Sequence, residues 1–412
     1  MRTAHETQDE KIVIIGAGQA GFAAAAKLRA LGHAGSITIV GDEPLLPYQR
    51  PPLSKAYVLG QMERDRLFFR PQSFFSEQNI ELILGGGATA IDPASHTVRL
   101  HDGQQLAYDI AILATGSEVR RMPEAMGGSL DGLYYVRTLE DADRMGKALQ
   151  PGRRALVIGG GYVGLEAAAT AAKLGLTVTL VEAADRILQR VAAPETSDYF
   201  RELHREHGVT IIEGKGISRL EGTDGHVSKA VLSDGQEIPV DFVIVGIGIL
   251  PRTALAEAAG IAIENGVRAD EFGRTSDPSI FAVGDCASFP YRGVRLRLES
   301  VGHAIDHAER AAEIIMGAET PYHAKPWFWS DQFDCKLQIA GLNVGYDRVV
   351  VRPGSQPNAA SHWYYKGDEL LAVDAMNEPR AFMVGKRMLE AGKSLDPAKV
   401  GDPSVDFKAL MA

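Results

Sequence analysis

The stretch Arg154–Glu182, RALVIGGGYVGLEAAATAAKLGLTVTLVE, constrains this chain more than any other. Apolar residues Ala155 to Ile158 run directly into Gly159-Gly160-Gly161-Tyr162-Val163-Gly164. An Ala-rich helical run to Gly175 follows, then a second apolar run, Val178 to Val181, and an acid, Glu182. The pattern predicts a strand, a tight glycine turn, a helix and a parallel strand, the context in which G-x-G-x-x-G binds a dinucleotide. Gly159 permits the turn, Gly161 lets a pyrophosphate approach the backbone, and Gly164 lets helix and strand pack closely. The helix N-terminus offers free N–H groups and a positive dipole end to the phosphates. Glu182, 23 residues after Gly159, is placed to accept a ribose 2′-OH and to repel a 2′-phosphate, which predicts NADH rather than NADPH.

The unit occurs twice. Lys11 to Asp42 repeats it, with Gly16-x-Gly18-x-x-Gly21, an Ala-rich helix, a strand over Ile37 to Val40 and an acid at Asp42. Two dinucleotide units in one chain imply two dinucleotides, which in a redox enzyme are FAD and NAD(P)H. Two cysteines, Cys286 and Cys335, cannot form a C-x-x-C redox pair or a four-ligand metal site, so a flavin here must pass electrons directly to an external acceptor. A balance of 43 basic against 53 acidic residues argues against nucleic-acid binding. No apolar stretch is long enough to span a membrane, and the polar start MRTAHETQDEK has no apolar signal region. A cytoplasmic protein is expected.

Between the two units, four prolines from Pro44 to Pro52 predict a stiff loop, with Lys55 opening a short helix. Arg64, Arg66 and Arg70 read as a solvated helix edge or as a basic rim for an acidic partner. Ile80 to Leu106 predicts a small antiparallel sheet, and Ile110 to Ala114 and Phe242 to Gly248 predict buried crossing strands. Residues 119–134 read as a linker. Thr138 with Asp141 predicts a helix N-cap. His204 and His207 lie three apart among Arg and Glu residues, a pattern read as a solvated face and not a metal site. In TSDPSIFAVGD a short strand ends on Asp285, at the edge where open α/β sheets bind ligands. Trp327-Phe328-Trp329 is either core or a flavin cover. Antiparallel strands are expected over 337–375, a helix over 378–392 and a surface-wrapped tail.

The order of motifs resembles the FAD-dependent, NADH-using ferredoxin reductases of bacterial oxygenase systems, the putidaredoxin, rhodocoxin and palustrisredoxin reductase type. The segments that carry the resemblance are RPPLSKAY (50–57), ATGS (114–117), VRTLEDAD (136–143), VIGGGYVGLEAAA (157–169), TSDPSIFAVGDC (275–286), RLESV (297–301) and PWFWSDQ (326–332). The resemblance implies an α/β, glutathione-reductase-like fold with two Rossmann-type nucleotide-binding domains and a C-terminal α+β domain. A discontinuous FAD domain would span 1–118 and 245–325, an NAD domain 119–244 and a C-terminal domain 326–412. It implies that Gly16, Gly18, Ala20, Gly21, Asp42, Ala88, Arg137, Asp285 and Val301 contact FAD. Lys55, Glu166 and Trp329 would serve its reacting end, with Lys55 and Glu166 ion-paired. Gly159, Gly161, Gly164 and Glu182 would bind NADH. No metal site is implied. The implied reaction carries hydride from NADH to FAD, then single electrons to a two-iron two-sulfur ferredoxin that serves a haem monooxygenase or an aromatic-ring dioxygenase. Docking would be transient and electrostatic, and the chain a monomer or weak dimer without membrane or nucleic-acid partners. An NADH oxidase or rubredoxin reductase, or a signalling flavoprotein like apoptosis-inducing factor, would share the fold. Three departures stand out: Gly302-His303 in place of a larger or amide pair at the flavin pyrimidine edge, Glu309 where some relatives carry a basic residue (with Arg310 beside it), and Cys335.

Overall fold

The computed structural model describes residues 9–411. Residues 1–8, which hold most of the polar start, lie outside that range. The chain divides into two compact units. One comprises 1–49, 64–118 and 250–326, the other 50–63, 119–249 and 327–412.

The first unit is built on a five-stranded, wholly parallel sheet in the order Ile280–Ala282, Ile110–Leu113, Ile12–Ile15, Ile37–Gly41, Ile80–Leu84. Every residue of the three central strands is buried, as continuous apolar runs require when both faces of a sheet are covered. Helices Gln19–Ala30 and Val301–Ile315 cover it through small side chains, with Ala20, Ala23 and Ala24 packed in one core with Ala304, Ala308 and Ala311. Ile80–Leu84 corrects an expectation: it joins the parallel sheet as an edge strand, and the small antiparallel sheet starts only at Ala88–Asp92, pairing with Thr97–Leu100 and Gln105–Ala107.

The second unit repeats the design with strands in the order Thr210–Ile212, Thr177–Val181, Arg154–Ile158, Phe242–Val245, Leu133–Tyr134, again all parallel. Its helix Tyr162–Lys173 is buried at every position from Gly164 to Ala171, as befits an Ala-rich helix covered on all sides. A five-stranded antiparallel sheet follows, in the order Trp327–Gln332, Cys335–Gly341, Glu369–Met376, Ala360–Lys366, Arg348–Pro353, with helix Pro379–Glu390 packed on it. Lys55 does not open a helix; it ends the 3-10 turn Pro51–Ser54. The expected cap is present: Thr138 Oγ1 accepts from Asp141 N (3.1 Å) while Asp141 Oδ2 accepts from Thr138 N (2.9 Å). Arg352 pins the tail by donating to the carbonyls of Val400, Asp402 and Val405 at 2.8–3.0 Å.

Buried between Ala193 and the C-terminal sheet is a polar knot. Thr196 Oγ1 donates to Asp374 Oδ2 (2.8 Å) and lies 2.8 Å from His362 Nδ1, and the Tyr364 hydroxyl also donates to Asp374. Burial without a cation pushes Asp374 up from 3.8 to about 6. A carboxyl raised in the folded state binds more protons there than when unfolded. Its stabilising contribution is therefore complete below pH 4 and is lost as pH rises through 6. Asp374→Asn should remove that dependence, gaining up to about 3 kcal/mol on wild type between pH 4 and pH 7. Denaturant titrations of both proteins across that range would decide, and parallel curves would exclude Asp374 as the titrating group. Thr138→Ala should cost about 1 kcal/mol in the same assay at constant slope.

Candidate functional site

In both glycine loops the three glycines meet different surroundings. Gly16 has φ +124°, and a Cβ on it would lie 2.1 Å from the Ala114 carbonyl oxygen. Gly159 is its counterpart, with φ +103° and 2.3 Å to the Gly246 oxygen. The third glycines are blocked from the other side, Gly21 at 1.9 Å from the Gly16 oxygen and Gly164 at 2.0 Å from the Gly159 oxygen. The middle glycines, Gly18 and Gly161, would meet nothing within 4 Å. Both are helix N-caps with no side-chain cap, so the first N–H groups of Gln19–Ala30 and Tyr162–Lys173 face open space beside bare backbone. That is the cradle a pyrophosphate requires, and it occurs twice.

Around the first loop, Gly284 brings Asp285 in: with φ +72°, a Cβ on Gly284 would lie 2.9 Å from Ala20 Cβ. Asp285 Oδ2 accepts from the Ser117 hydroxyl (3.1 Å). Asp42, after Ile37–Gly41, is ion-paired with Arg252 at 2.7 Å, and both are about half exposed. Gly87, next to Ala88, sits against the Asp42 side chain. Val301 opens its helix behind Ser300, whose hydroxyl accepts from His303 N. The His303 ring turns inward, stacked on Phe289 (4.9 Å) and bonded to the Tyr322 hydroxyl (2.9 Å), and burial lowers its pKa well below the usual histidine value. At the expected docking rim, Arg64 and Arg66 are exposed on the 3-10 turn Arg64–Leu67, and Arg70 is exposed on the bend that follows, so none lies on an α-helix edge. Glu309 lies 3.7 Å from Lys27, and Arg310 is ion-paired with Glu313 at 2.8 Å.

Around the second loop, Glu182 grips the turn: Oε2 accepts from Gly160 N (2.6 Å) and Oε1 from Ala184 N (2.8 Å). A carboxylate has about four acceptor positions, so two remain for a ribose hydroxyl. Arg137 precedes the capped helix, with its carbonyl accepting from Arg50 (2.7 Å).

Glu166 is the one charge in the buried stretch Gly164–Ala171. A buried carboxylate is costly unless paired and hydrogen-bonded, and Glu166 is both. Lys55 Nζ lies 2.9 Å from Oε2, the Ser54 hydroxyl donates to Oε2 (2.9 Å) and the Ser330 hydroxyl to Oε1 (2.8 Å). The Lys55–Glu166 pair expected from resemblance is thus formed. Trp329, one residue before Ser330, is half-buried and stacks on Trp327 (5.4 Å, 22°), while Phe328 packs on Tyr162 at 4.9 Å. Ser54 and Ser330 were not singled out in sequence, although Ser330 and Gln332, two apart on a strand, share one face. His204 overturns an expectation: it is 0% exposed and bonded to Gln332 Oε1 at 2.8 Å. The buried positions of its helix, Thr196, Phe200, Leu203 and His204, form a stripe at helical spacing that carried the signal.

Residues 10–308 match the pyridine nucleotide-disulphide oxidoreductases, and residues 327–411 match the reductase C-terminal family. This chain belongs to the pyridine nucleotide-disulphide oxidoreductase family. It is 42% identical over 410 residues to putidaredoxin reductase CamA of Pseudomonas putida, covering 98% of this chain and 97% of that one. It is 41% identical over 403 residues to rhodocoxin reductase of Rhodococcus erythropolis, covering 97% and 94%. The crystal structure of the covalent putidaredoxin reductase–putidaredoxin complex superposes with a TM-score of 0.94 at 42% identity, covering 98% of both chains. The fold is glutathione-reductase-like, the protein is an oxidoreductase, and the cofactors of its family are FAD and NAD(P)H. The two bare-glycine cradles fit two dinucleotides. Among the described residues no helix is long and apolar enough to cross a membrane, and no His, Cys, Asp and Glu cluster suits a metal.

The contrast between glycines is testable. Gly161→Ala should fold and melt like wild type yet weaken reduction by NADH about tenfold or more, because only the ligand meets the new methyl. Gly164→Ala drives a methyl into backbone and should cost more than about 3 kcal/mol. Thermal melting with a parallel NADH titration separates the two, and equal melting losses would contradict the assignment.

Proposed function

We propose that this protein is an NADH-dependent ferredoxin reductase, carrying electrons to a two-iron two-sulfur ferredoxin that serves a haem monooxygenase or an aromatic-ring dioxygenase. The observation that carries the reading is the pair of glycine loops, each with first and third glycines blocked by backbone and an open middle glycine. Full-length likeness to reductases named for putidaredoxin and rhodocoxin directs it to a ferredoxin. Both cysteines are free and buried, and burial pushes the Cys335 thiol up to about 12, so neither offers a thiolate to relay electrons. Free thiols also suit the cytoplasmic location we propose.

Bound FAD would supply the conversion of a two-electron hydride input from NADH into single-electron output to the ferredoxin. We assign FAD binding to residues 1–118 and 245–325, NADH binding to 119–244, and a flavin-covering role to 326–412. In the first unit, Gly16, Gly18 and Gly21 hold the pyrophosphate beside Ala20, Asp42 the adenosine ribose with Ala88 near it, and Asp285 the ribityl chain, with Val301 at the ring end. In the second, Gly159, Gly161 and Gly164 hold the pyrophosphate of NADH, and Glu182 its adenosine ribose. Arg137 orients FAD, and Trp329 shields the reacting end. Lys55, its ammonium anchored by Glu166, sets a fixed positive charge there and moves no proton. Arg64, Arg66 and Arg70 form the electrostatic docking rim.

Anaerobic stopped-flow at the flavin band tests the reading. NADH should bleach the flavin at least about a hundredfold faster than NADPH, and Glu182→Gln should narrow that ratio. Equal rates with both nucleotides would remove Glu182 as selector. Lys55→Met should slow bleaching about tenfold or more. Reoxidation by a two-iron two-sulfur ferredoxin should slow as salt rises through the range where the Debye length falls below about 10 Å. No bleaching by either nucleotide would defeat the proposal.

A further inference from the structure

Behind Glu166 the hydrogen bonds continue in one direction. The Ser330 hydroxyl donates to Glu166 Oε1 (2.8 Å), so its lone pairs face back, and there Gln332 Nε2 donates to Ser330 Oγ (3.1 Å). That bond fixes the Gln332 amide with its oxygen turned away, 2.8 Å from His204 Nε2. A carbonyl oxygen only accepts, so His204 Nε2 carries the hydrogen and the ring is held in a single neutral tautomer. Burial lowers the His204 pKa to about 4, which keeps the ring uncharged at neutral pH. Ser330, Gln332 and His204 are all 0% exposed. Phe333 seals the far side, edge-on to His204 at 5.0 Å and stacked on His207 at 3.8 Å.

We propose that His204, Gln332 and Ser330 form a directed relay of hydrogen bonds that positions the Glu166 carboxylate and, through it, the Lys55 ammonium. Each donor in the relay points its positive end toward the carboxylate, and dipoles so aligned polarise one another in a buried site. The carboxylate is thereby held on both oxygens, with Oε1 occupied by the relay and Oε2 shared by Ser54 and Lys55. Without the relay the hydrogen bond to Oε1 weakens, and the carboxylate that holds Lys55 is fixed mainly through Oε2. These three are positioning residues; none needs to touch cofactor or substrate. The inference rests on the assignment of Lys55 and Glu166 to the reacting end of the flavin, and its test separates the two.

Ring ¹H–¹⁵N spectra of the histidine-labelled holoprotein, with His204 assigned from His204→Phe, report on the relay without turnover. His204 should show one Nε2–H resonance, and Glu166→Gln and Ser330→Ala should each move it further than any other histidine ring proton. A His204 resonance that stays put in both variants overturns the relay. Stopped-flow then reads the consequence. Gln332→Leu and His204→Phe should each slow flavin reduction at saturating NADH by about tenfold, the scale of one net hydrogen bond, with the half-saturating NADH concentration unchanged. His204→Gln, which can present an N–H at the Nε2 position, should restore most of the rate where His204→Phe does not. If Lys55→Met slows reduction while Gln332→Leu and His204→Phe do not, the relay is overturned and the assignment of Lys55 stands. If Lys55→Met has no effect, that assignment fails, and the ring spectra still decide whether the relay forms.

Discussion

A contact too close for any side chain governs this molecule. In each glycine loop the carbonyl oxygen of the first glycine presses on the Cα of the third, where a methyl would sit about 2 Å from it. The contact draws the helix start against the strand it follows, so the helix axis and its unpaired N–H groups have no freedom to point elsewhere. Alanine-rich helix faces follow from the same demand, since larger side chains would lever helix and sheet apart. Strand order, the placing of Asp285 near the first loop and the grip of Glu182 on the second all build on that geometry.

The second constraint is a charge placed where water does not reach. Glu166 stands in a helix otherwise free of charge over its buried length, and five side chains from three separate segments, Ser54 with Lys55, Ser330 with Gln332, and His204, have been recruited to it directly or through one another. Lys55 is one of them. Its nearness to Glu166 is therefore a consequence of helix burial, and its ammonium is held in place by a requirement of the fold.

Local signals were legible in the residues. The glycine loops, the apolar parallel strands and the Thr138 cap are each written within about a dozen residues, and each appears where expected, as does the short strand before Asp285, which stops at Ala282 and leaves Asp285 on the 3-10 turn Gly284–Cys286. What failed was non-local. Ile80–Leu84 looks like the first strand of a meander because turn residues follow it, yet its partner is Ile37–Gly41. His204 looks solvated because its sequence neighbours are charged, while the group that covers it, Gln332, lies 128 residues away. Asp42 and Arg252, 210 residues apart, could not be paired from sequence. The aromatic cluster of His303 with Phe289 and Tyr322 likewise comes together only in the folded chain.

The C-terminal segment matches a family of its own, which invites the view of a detachable module. Its interior says otherwise. Cys335, Leu337 and Met376 lie in the same apolar core as Phe200, Leu203 and Val178, and Lys173 donates to the Phe333 carbonyl at 2.7 Å. For anyone building chimaeras between reductases, the boundary near residue 326 is thus a poor splice point. A foreign tail would meet half of a core made for another surface, and the mismatch would reach Glu166 through Ser330. Exchanging 119–249 and 327–411 together, with the short segment 50–63 that carries Lys55, keeps the covalent joins in places where the packing already divides.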